Sequence, residues 1–426
     1  MTRLDNPSIT SVPGFRAAGV ACGLKKTGAP DLALVVSDGP CRVAAMFTTN
    51  RVKAAPVLHD QAILARNRTG VRAVVANSGG ANACTGVQGV EDAAQMSALV
   101  AAQLGCAPDD VLVMSTGVIG QRLDMAKVAA GIRDAAAHLS TDGGHAAARA
   151  IMTTDTRPKE IAIRVDLTTG NRRRPTAESP SAVRGRWSAV IAGMAKGAGM
   201  IHPNMATMLC LIATDAAISV DLLDAALRYA VDRSFHRITV DGDTSTNDTV
   251  LLLANGRAGN PEIQDPASPA FLEFRVALTQ VATELAKMVV RDGEGATKFV
   301  SIHVQGARTE AEAVQVGMAV ARSNLVKTAL FGRDANWGRV LAAVGYSGVE
   351  IEPETISLWF GATGRDAIQL LASGQPLPLD EERALALLSH TDVDIIIDLG
   401  QGAAEATIWT CDFSYDYVKI NAAYRT

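Results

Sequence analysis

Short apolar runs broken by Gly, Pro, Asn and Ser dominate the chain from about Ile9 to Gly86. Ala33-Leu34-Val35-Val36, Val43-Ala44-Ala45-Met46-Phe47-Thr48 and Val71-Arg72-Ala73-Val74-Val75-Ala76 have the length and punctuation of strands. The pattern then changes. Val87 to Leu104 is amphipathic and ends toward Gly105, which predicts a helix. Val111-Leu112-Val113-Met114 predicts a buried strand running into Ser115-Thr116-Gly117, and Met125 to Leu139 is Ala-rich and helical. Strands are expected at Ile161–Leu167 and Ser188–Ile191. The polar, basic, Pro- and Ser-containing stretch Asn171–Arg186 joins them, and it reads as a surface insertion. Asp221 to Ser234 predicts a helix. Pro269 to Val290 predicts a longer one, with Ser268 as N-cap and Pro269 in the first turn. A strand follows at Phe299–Val304, then a capping box, Thr309-Glu310-Ala311-Glu312, that opens another helix. Strands at Ile395–Asp398 and Ala406–Cys411 lead to a terminus, Tyr417–Thr426, whose apolar pattern predicts a docked end rather than a frayed one.

Composition narrows the classes. The 426 residues allow two or three domains or one large layered one. Hydrophobic residues make up 48% and aromatics 4%, so the core is expected to be built from Ala, Val, Leu and Ile. A net charge of -4 gives no general excess of cations for phosphate, which argues against a nucleic-acid partner; Arg172-Arg173-Arg174 is the local exception. Six scattered Cys without a C-x-x-C pair read as reduced thiols of a cytoplasmic protein, mostly buried. Seven His show neither H-E-x-x-H nor a Cys/His cluster, so no metal site is expected. The N-terminal residues start no signal peptide, and no apolar run reaches membrane-spanning length, so no membrane partner is expected. The Gly-rich turn Asn77–Gly86 lacks the Gly-Lys-Ser/Thr ending of a phosphate-binding loop. The acidic loop Asp241–Asp248 is not an EF-hand, because Thr246 and Leu252 stand where Gly and Glu are required.

Candidate chemistry centres on Gly193 to Ala216. Up to Pro203-Asn204 this stretch is glycine-rich with one buried-looking lysine, Lys196. From Met205 it becomes an apolar run of buried-strand length. Gly197 and Gly199 permit positive φ and close backbone approach, and Pro203 pushes His202 into an extended conformation. Thr207 thus stands where a constrained loop enters a core strand, a good place for a nucleophile. A Thr in that position is more often packing, and Met205 and Met208 are ordinary core filler.

The motif itself adds to this. Lys196-Gly-x-Gly-Met-Ile-x-Pro-Asn-Met-Ala-Thr-Met-Leu209 resembles the self-cleavage segment of the ornithine acetyltransferase family, the glutamate N-acetyltransferases of arginine biosynthesis. The resemblance spans nearly the whole chain. It implies a layered α/β/β/α sandwich, shared with self-processing aminopeptidases, and scission between Ala206 and Thr207. The products would be an α chain, 1–206, and a β chain, 207–426, assembled in a heterotetramer. The implied reaction is ping-pong: Thr207 takes the acetyl group of N-acetylornithine, ornithine leaves, and glutamate accepts the acetyl. No cofactor is implied, although acetyl-CoA serves some family members as a co-substrate. Thr116 and Gly117 correspond to the family's oxyanion hole. Thr153 or Thr154 (spacing alone does not decide which), Lys196, Glu294, Asn421 and Thr426 correspond to its substrate contacts.

The chemistry explains why a cut would matter. A Thr hydroxyl needs an adjacent base, and a freed α-amine with an ordinary pKa of about 7.7–8.0 provides one on the same residue. His202, the competing base by proximity, reads as a loop residue. Two other readings remain: a self-processed aminopeptidase or amidase, marked by release of free acetate, and an uncleaved metabolite-binding protein, marked by a single full-mass band on denaturing electrophoresis.

Overall fold

The computed structural model describes residues 1–169, 185–202, 208–364 and 366–422. Its strands before residue 260 are β1 (Thr2–Arg3), β2 (Phe15–Val20), β3 (Leu32–Phe47), β4 (Val71–Gly80), β5 (Val111–Val118), β6 (Lys159–Thr169), β7 (Gly185–Lys196), β8 (Leu209–Thr214) and β9 (Thr249–Ala254). They form one sheet in the order β1-β6-β7-β8-β9-β3-β4-β5, with β2 also paired to β3. The helices of this region are α1 (Ala55–Leu64), α2 (Gly86–Leu104), α3 (Met125–Ala137), α4 (Gly144–Ala150), α5 (Val220–Asp232) and α6 (Pro269–Arg291).

The long strand β3 explains the layering. Its first part, Leu32–Val36, pairs with β2 and β4. After a register shift between Val36 and Cys41, Arg42–Phe47 pairs with β9. One strand therefore serves both halves of the sheet, and the halves face one another. Alternation along the strands then sorts the side chains. Ala33, Val35, Val74, Ala76 and Met114 share a core with Ala192, Met194, Leu209, Leu211 and Leu253 of the facing half. Leu32, Leu34, Val36, Ala73 and Val113 point the other way, onto Met96 and Val100 of α2 and Val128 and Ile132 of α3. Behind the second half, α5 packs on β3, and a side chain at Gly193 of β7 would run into Leu285 of α6. The result is the expected α/β/β/α sandwich, with an aliphatic interior as composition implied.

A second unit contains β10 (Phe299–Ala307), β11 (Ser357–Ala362), β12 (Ala367–Ala372), β13 (Gln375–Pro376), β14 (Asp392–Asp398) and β15 (Ala404–Cys411). These form a sheet in the order β13-β12-β11-β14-β10-β15, in which β10 and β14 run parallel. Val300, Ile302 and Val304 pack against Val316 and Val320 of α7 (Glu310–Arg322), Val326 and Leu330 of α8 (Asn324–Phe331), Val340 and Val344 of α9 (Trp337–Gly345), and Leu387 and Leu388 of α10 (Glu381–Leu388). The chain then forms α11 (Tyr415–Ala422).

Several expectations are corrected. The Ile9–Gly86 stretch contains α1, whose period is blurred because Asp60 is buried on its inner face while Leu58 is exposed. The short helix α4 was hidden by its Ala- and Gly-rich composition, which offers little apolar–polar contrast. Only half of the capping box forms. Thr309 accepts the Glu312 N–H at 3.2 Å, while the Glu312 carboxylate turns to Arg308. The described part of the C-terminus is a helix with no fully buried residue, held through Asn421 to Glu294 rather than by an apolar face. The region read as an insertion gives up Gly185 and Arg186 to β7, and the rest of it lies outside the described residues. Cys41, Cys210 and Cys411 are buried, Cys22 and Cys106 half-buried and Cys84 exposed, all as free thiols. Among the described residues no helix is long and apolar enough to cross a membrane.

The strand order makes a prediction. β8 and β9 lie inside the sheet, flanked by β7 on one side and β3 on the other. A chain cut between residues 206 and 207 is therefore expected to elute as one species in native gel filtration and to separate into fragments only in denaturant. Fragments that part in native buffer would contradict this arrangement.

Candidate active site

At its end β5 presents Thr116 and Gly117. Thr116 is buried, and Gly117 adopts φ +131°. A Cβ at 117 would lie 2.4 Å from the carbonyl carbon of Gly79 on β4, so no side chain fits there. Lys196 is the last residue of β7, paired with Leu209 of β8. It therefore sits on a strand and not in the glycine-rich loop, and at 2% exposed it is buried, as the sequence suggested. Its Nζ donates to Thr116 Oγ1 at 3.3 Å. A hydroxyl that accepts from an ammonium keeps its own proton to give to another group.

A buried carboxylate organises this corner. Asp155 accepts from Lys159 Nζ at 2.5 Å, from the Gly197 N–H at 2.7 Å and from the Thr153 N–H at 2.9 Å. Burial pushes its carboxyl upward, but Lys196 and Lys159 together outweigh burial and hold it well below the usual carboxylate range. Lys25 stands nearby, its Nζ donating to the carbonyls of Pro30 and Met152, and burial lowers it against the pull of Asp31 and Asp155. Thr153 and Thr154 are half-buried and lie in a bend before β6, not on a strand.

Sequence reasoning left the loop before β9 without a role. It does much of the fixing. Asn247 Nδ2 donates to the carbonyls of Ala81 at 2.6 Å and Ser115 at 2.9 Å, which holds the peptide leading into Thr116. Ser115 Oγ in turn donates to Asn77 Oδ1 at 2.6 Å. Asp248 is fully buried, and its Oδ1 accepts the Met208 N–H at 2.8 Å. The available signal was a run of Ser, Thr, Asn and Asp ending directly at a strongly apolar strand, where unpaired polar groups are costly.

In the second unit Glu294 is buried, and its Oε2 accepts from Asn421 Nδ2 at 2.8 Å. A Cβ at Gly199 would lie 2.3 Å from the same Oε2, so the absent side chain lets the carboxylate approach the backbone. Asp241 accepts the Met200 and Ile201 N–H groups at 2.5 and 2.8 Å and holds Met200 at φ +56°. Burial pushes the Asp241 carboxyl up, while these backbone donors oppose it. Tyr417 is bonded to Asp241, and burial together with Asp241 and Glu294 pushes its phenol up. His202 lies 3.3 Å from Thr239 Oγ1, which itself donates to the Ile201 carbonyl. Burial, and then Arg322, lowers His202 to about 4, so it is neutral near pH 7 and tied to the loop, in keeping with a loop residue. Ala206, Thr207 and Thr426 lie outside the described residues.

The model of the ArgJ family matches residues 16–426. The chain is 51% identical over 423 residues to the arginine biosynthesis bifunctional protein ArgJ of Symbiobacterium thermophilum, covering 98% of each. It is 50% identical over 437 residues to the mitochondrial ArgJ protein of Heterostelium pallidum, covering 99% of this chain and 96% of that one. Among solved structures, the ornithine acetyltransferase of Mycobacterium tuberculosis complexed with ornithine is 41% identical, with a TM-score of 0.40, and covers 49% of this chain and 99% of that chain.

Asp155 sets a pH dependence. A carboxyl held below its unfolded value adds stability above that value, about 3.9, and loses it as pH falls through the folded value. Asp155→Asn is expected to lower the unfolding free energy at pH 7 by about 3–5 kcal/mol, the usual cost of stripping a buried ion pair of one partner. The deficit measured by urea titration should shrink as pH drops below about 4. A deficit that does not change with pH would contradict an ionised Asp155.

Proposed function

The chain belongs to the ArgJ family, and on that premise we propose that it moves acetyl from N-acetylornithine to glutamate through an ester on Thr207. It is an acetyltransferase of arginine biosynthesis. The family's self-cleavage motif supports scission between Ala206 and Thr207, giving an α chain (1–206) and a β chain (207–426) that assemble as a heterotetramer.

The freed α-amine of Thr207 takes the hydroxyl proton as the oxygen attacks the acetyl carbonyl. Thr116 and Gly117 receive the developing oxyanion. The contact between Lys196 and Thr116 carries this reading best, because it turns the Thr116 hydroxyl into a donor and places a buried cation beside it. Collapse of the intermediate returns the proton to the departing amine of ornithine and leaves acetyl on Thr207. The amine of glutamate then attacks the ester, and the same groups act in reverse.

Lys196 suits a substrate carboxylate. The substrate roles of Thr153 or Thr154, Glu294, Asn421 and Thr426 carry over from the family, and the buried Glu294, which accepts from the Asn421 amide, suits an ammonium. The bifunctional naming of the relatives supports acetyl-CoA as a second acetyl donor for making N-acetylglutamate, with no bound cofactor required. Free thiols throughout the chain support a reducing compartment such as the cytoplasm.

The test is mass spectrometry of the protein incubated with N-acetylornithine. An acetyl adduct is expected on a fragment beginning at Thr207 and absent in Thr207→Ala. An adduct that survives that substitution would assign the chemistry elsewhere, and free acetate in place of N-acetylglutamate would make the protein an amidase. Thr116→Val is expected to lower kcat by roughly 10²–10³-fold, and an unchanged kcat would remove Thr116 from the oxyanion site.

A further inference from the structure

The connection from β2 to β3 is built around one carboxylate. Asp31 is fully buried and accepts four backbone N–H groups, those of Cys22 at 2.6 Å, Gly23 at 3.1 Å, Leu24 at 2.7 Å and Lys25 at 2.9 Å. Four donors converging on one short side chain fix the path of the backbone there. The Lys25 side chain leaves this bracket and ends between two carbonyls, that of Pro30 at 2.8 Å and that of Met152 at 2.7 Å. Both acceptors are neutral, so the ammonium is spent on backbone far apart in sequence.

The Met152 carbonyl and the Thr153 N–H belong to one peptide unit. Lys25 holds its oxygen, and Asp155 holds its hydrogen at 2.9 Å. Asp155 also takes the N–H of Gly197 at 2.7 Å, one residue beyond Lys196, and Lys196 reaches Thr116 at 3.3 Å. A peptide gripped on both polar groups cannot turn without losing a charge-assisted hydrogen bond. Contacts thus run unbroken from the bracket at Asp31, through the bend that carries Thr153 and Thr154, to Thr116.

We propose that Lys25 is a positioning residue of the acetyl-transfer site, aiming Thr153 or Thr154 at the amino-acid substrates by clamping the peptide between Met152 and Thr153. This rests on the transfer reading above and adds to it the group that sets the bend. The bend needs one: Thr153 and Thr154 belong to neither strand nor helix, so no ladder of backbone hydrogen bonds fixes them. Groups that bind a substrate have to be held to within roughly 0.5 Å by their supports. Charge strengthens the clamp, because an ammonium grips a carbonyl more tightly than a neutral donor does. Burial disfavours the charged form of Lys25, while Asp31 and Asp155 favour it.

The experiment measures initial rates of acetyl transfer by purified Lys25→Met, Lys25→Gln and Lys25→Arg enzymes, varying N-acetylornithine and glutamate in turn and recording Tm alongside. In Lys25→Met both KM values are expected to rise roughly 10-fold, the factor that one charge-assisted hydrogen bond supports. The kcat should stay within about twofold of wild type, because a contact made alike in ground and transition states shows in KM alone. Both substrates should respond, since a ping-pong enzyme presents the same bend to each. Lys25→Arg keeps the charge and the N–H donors and should bring both KM values back to within about threefold of wild type. Lys25→Gln, which fills the space without the charge, carries the test if Lys25→Met does not fold, and its KM values should rise too. A lowered Tm with wild-type KM values would leave Lys25 a merely structural residue and overturn the proposal. A fall in kcat at unchanged KM, or an arginine variant no better than the methionine one, would do the same. Wild type that transfers no acetyl would overturn the transfer reading itself, and the role of Lys25 with it.

Discussion

Three aspartates hold the backbone of the connection from β7 to β8. Asp155 accepts the N–H of Gly197, Asp241 those of Met200 and Ile201, and Asp248 that of Met208. Backbone donors drawn out of water must find acceptors, and a carboxyl on a short side chain supplies them without adding flexibility. The three carboxyls are shifted in opposite directions. Two lysines keep Asp155 ionised, whereas burial drives Asp241 and Asp248 the other way. Held like this, Met200 accepts a left-handed conformation that costs a non-glycine residue about 1–2 kcal/mol. Strain of this kind persists only where the surroundings over-determine the backbone.

The sheet makes scission of that connection tolerable. β8 pairs antiparallel with β7 and parallel with β9, and β9 pairs with the far half of β3. Residues on both sides of position 206 thus share one ladder of backbone hydrogen bonds and one aliphatic core. Cutting the chain between them leaves this ladder and core in place. The charged corner at Asp155, Lys159 and Lys196 is built within β6, β7 and the bend before them, so it too outlasts a cut.

Much of this was legible in the sequence. Strands β3 to β5 and helices α2, α3, α5 and α6 announce themselves by period, caps and punctuation, and the family resemblance points to Thr116, Gly117 and Lys196. What stayed hidden had physical causes. The face of α1 carries a buried Asp60, which breaks the apolar stripe. Lys196 looked like part of a loop because glycines surround it, yet Gly193 belongs to a strand pressed against Leu285. Asn247 and Asp248 sit in a segment whose polar composition resembles any surface loop, and only the fold shows that it runs through the interior. Buried hydrogen-bonding side chains are the hardest class to read in advance, since their partners are backbone groups that leave no mark on the sequence.

N-terminal sequencing of a catalytically active preparation tests the central claim most directly. Two N-termini are predicted, the second reading Thr207-Met208-Leu209-Cys210-Leu211 in equal amount to the first. Full activity from a preparation with a single N-terminus would leave Thr207 without its amine and contradict the account.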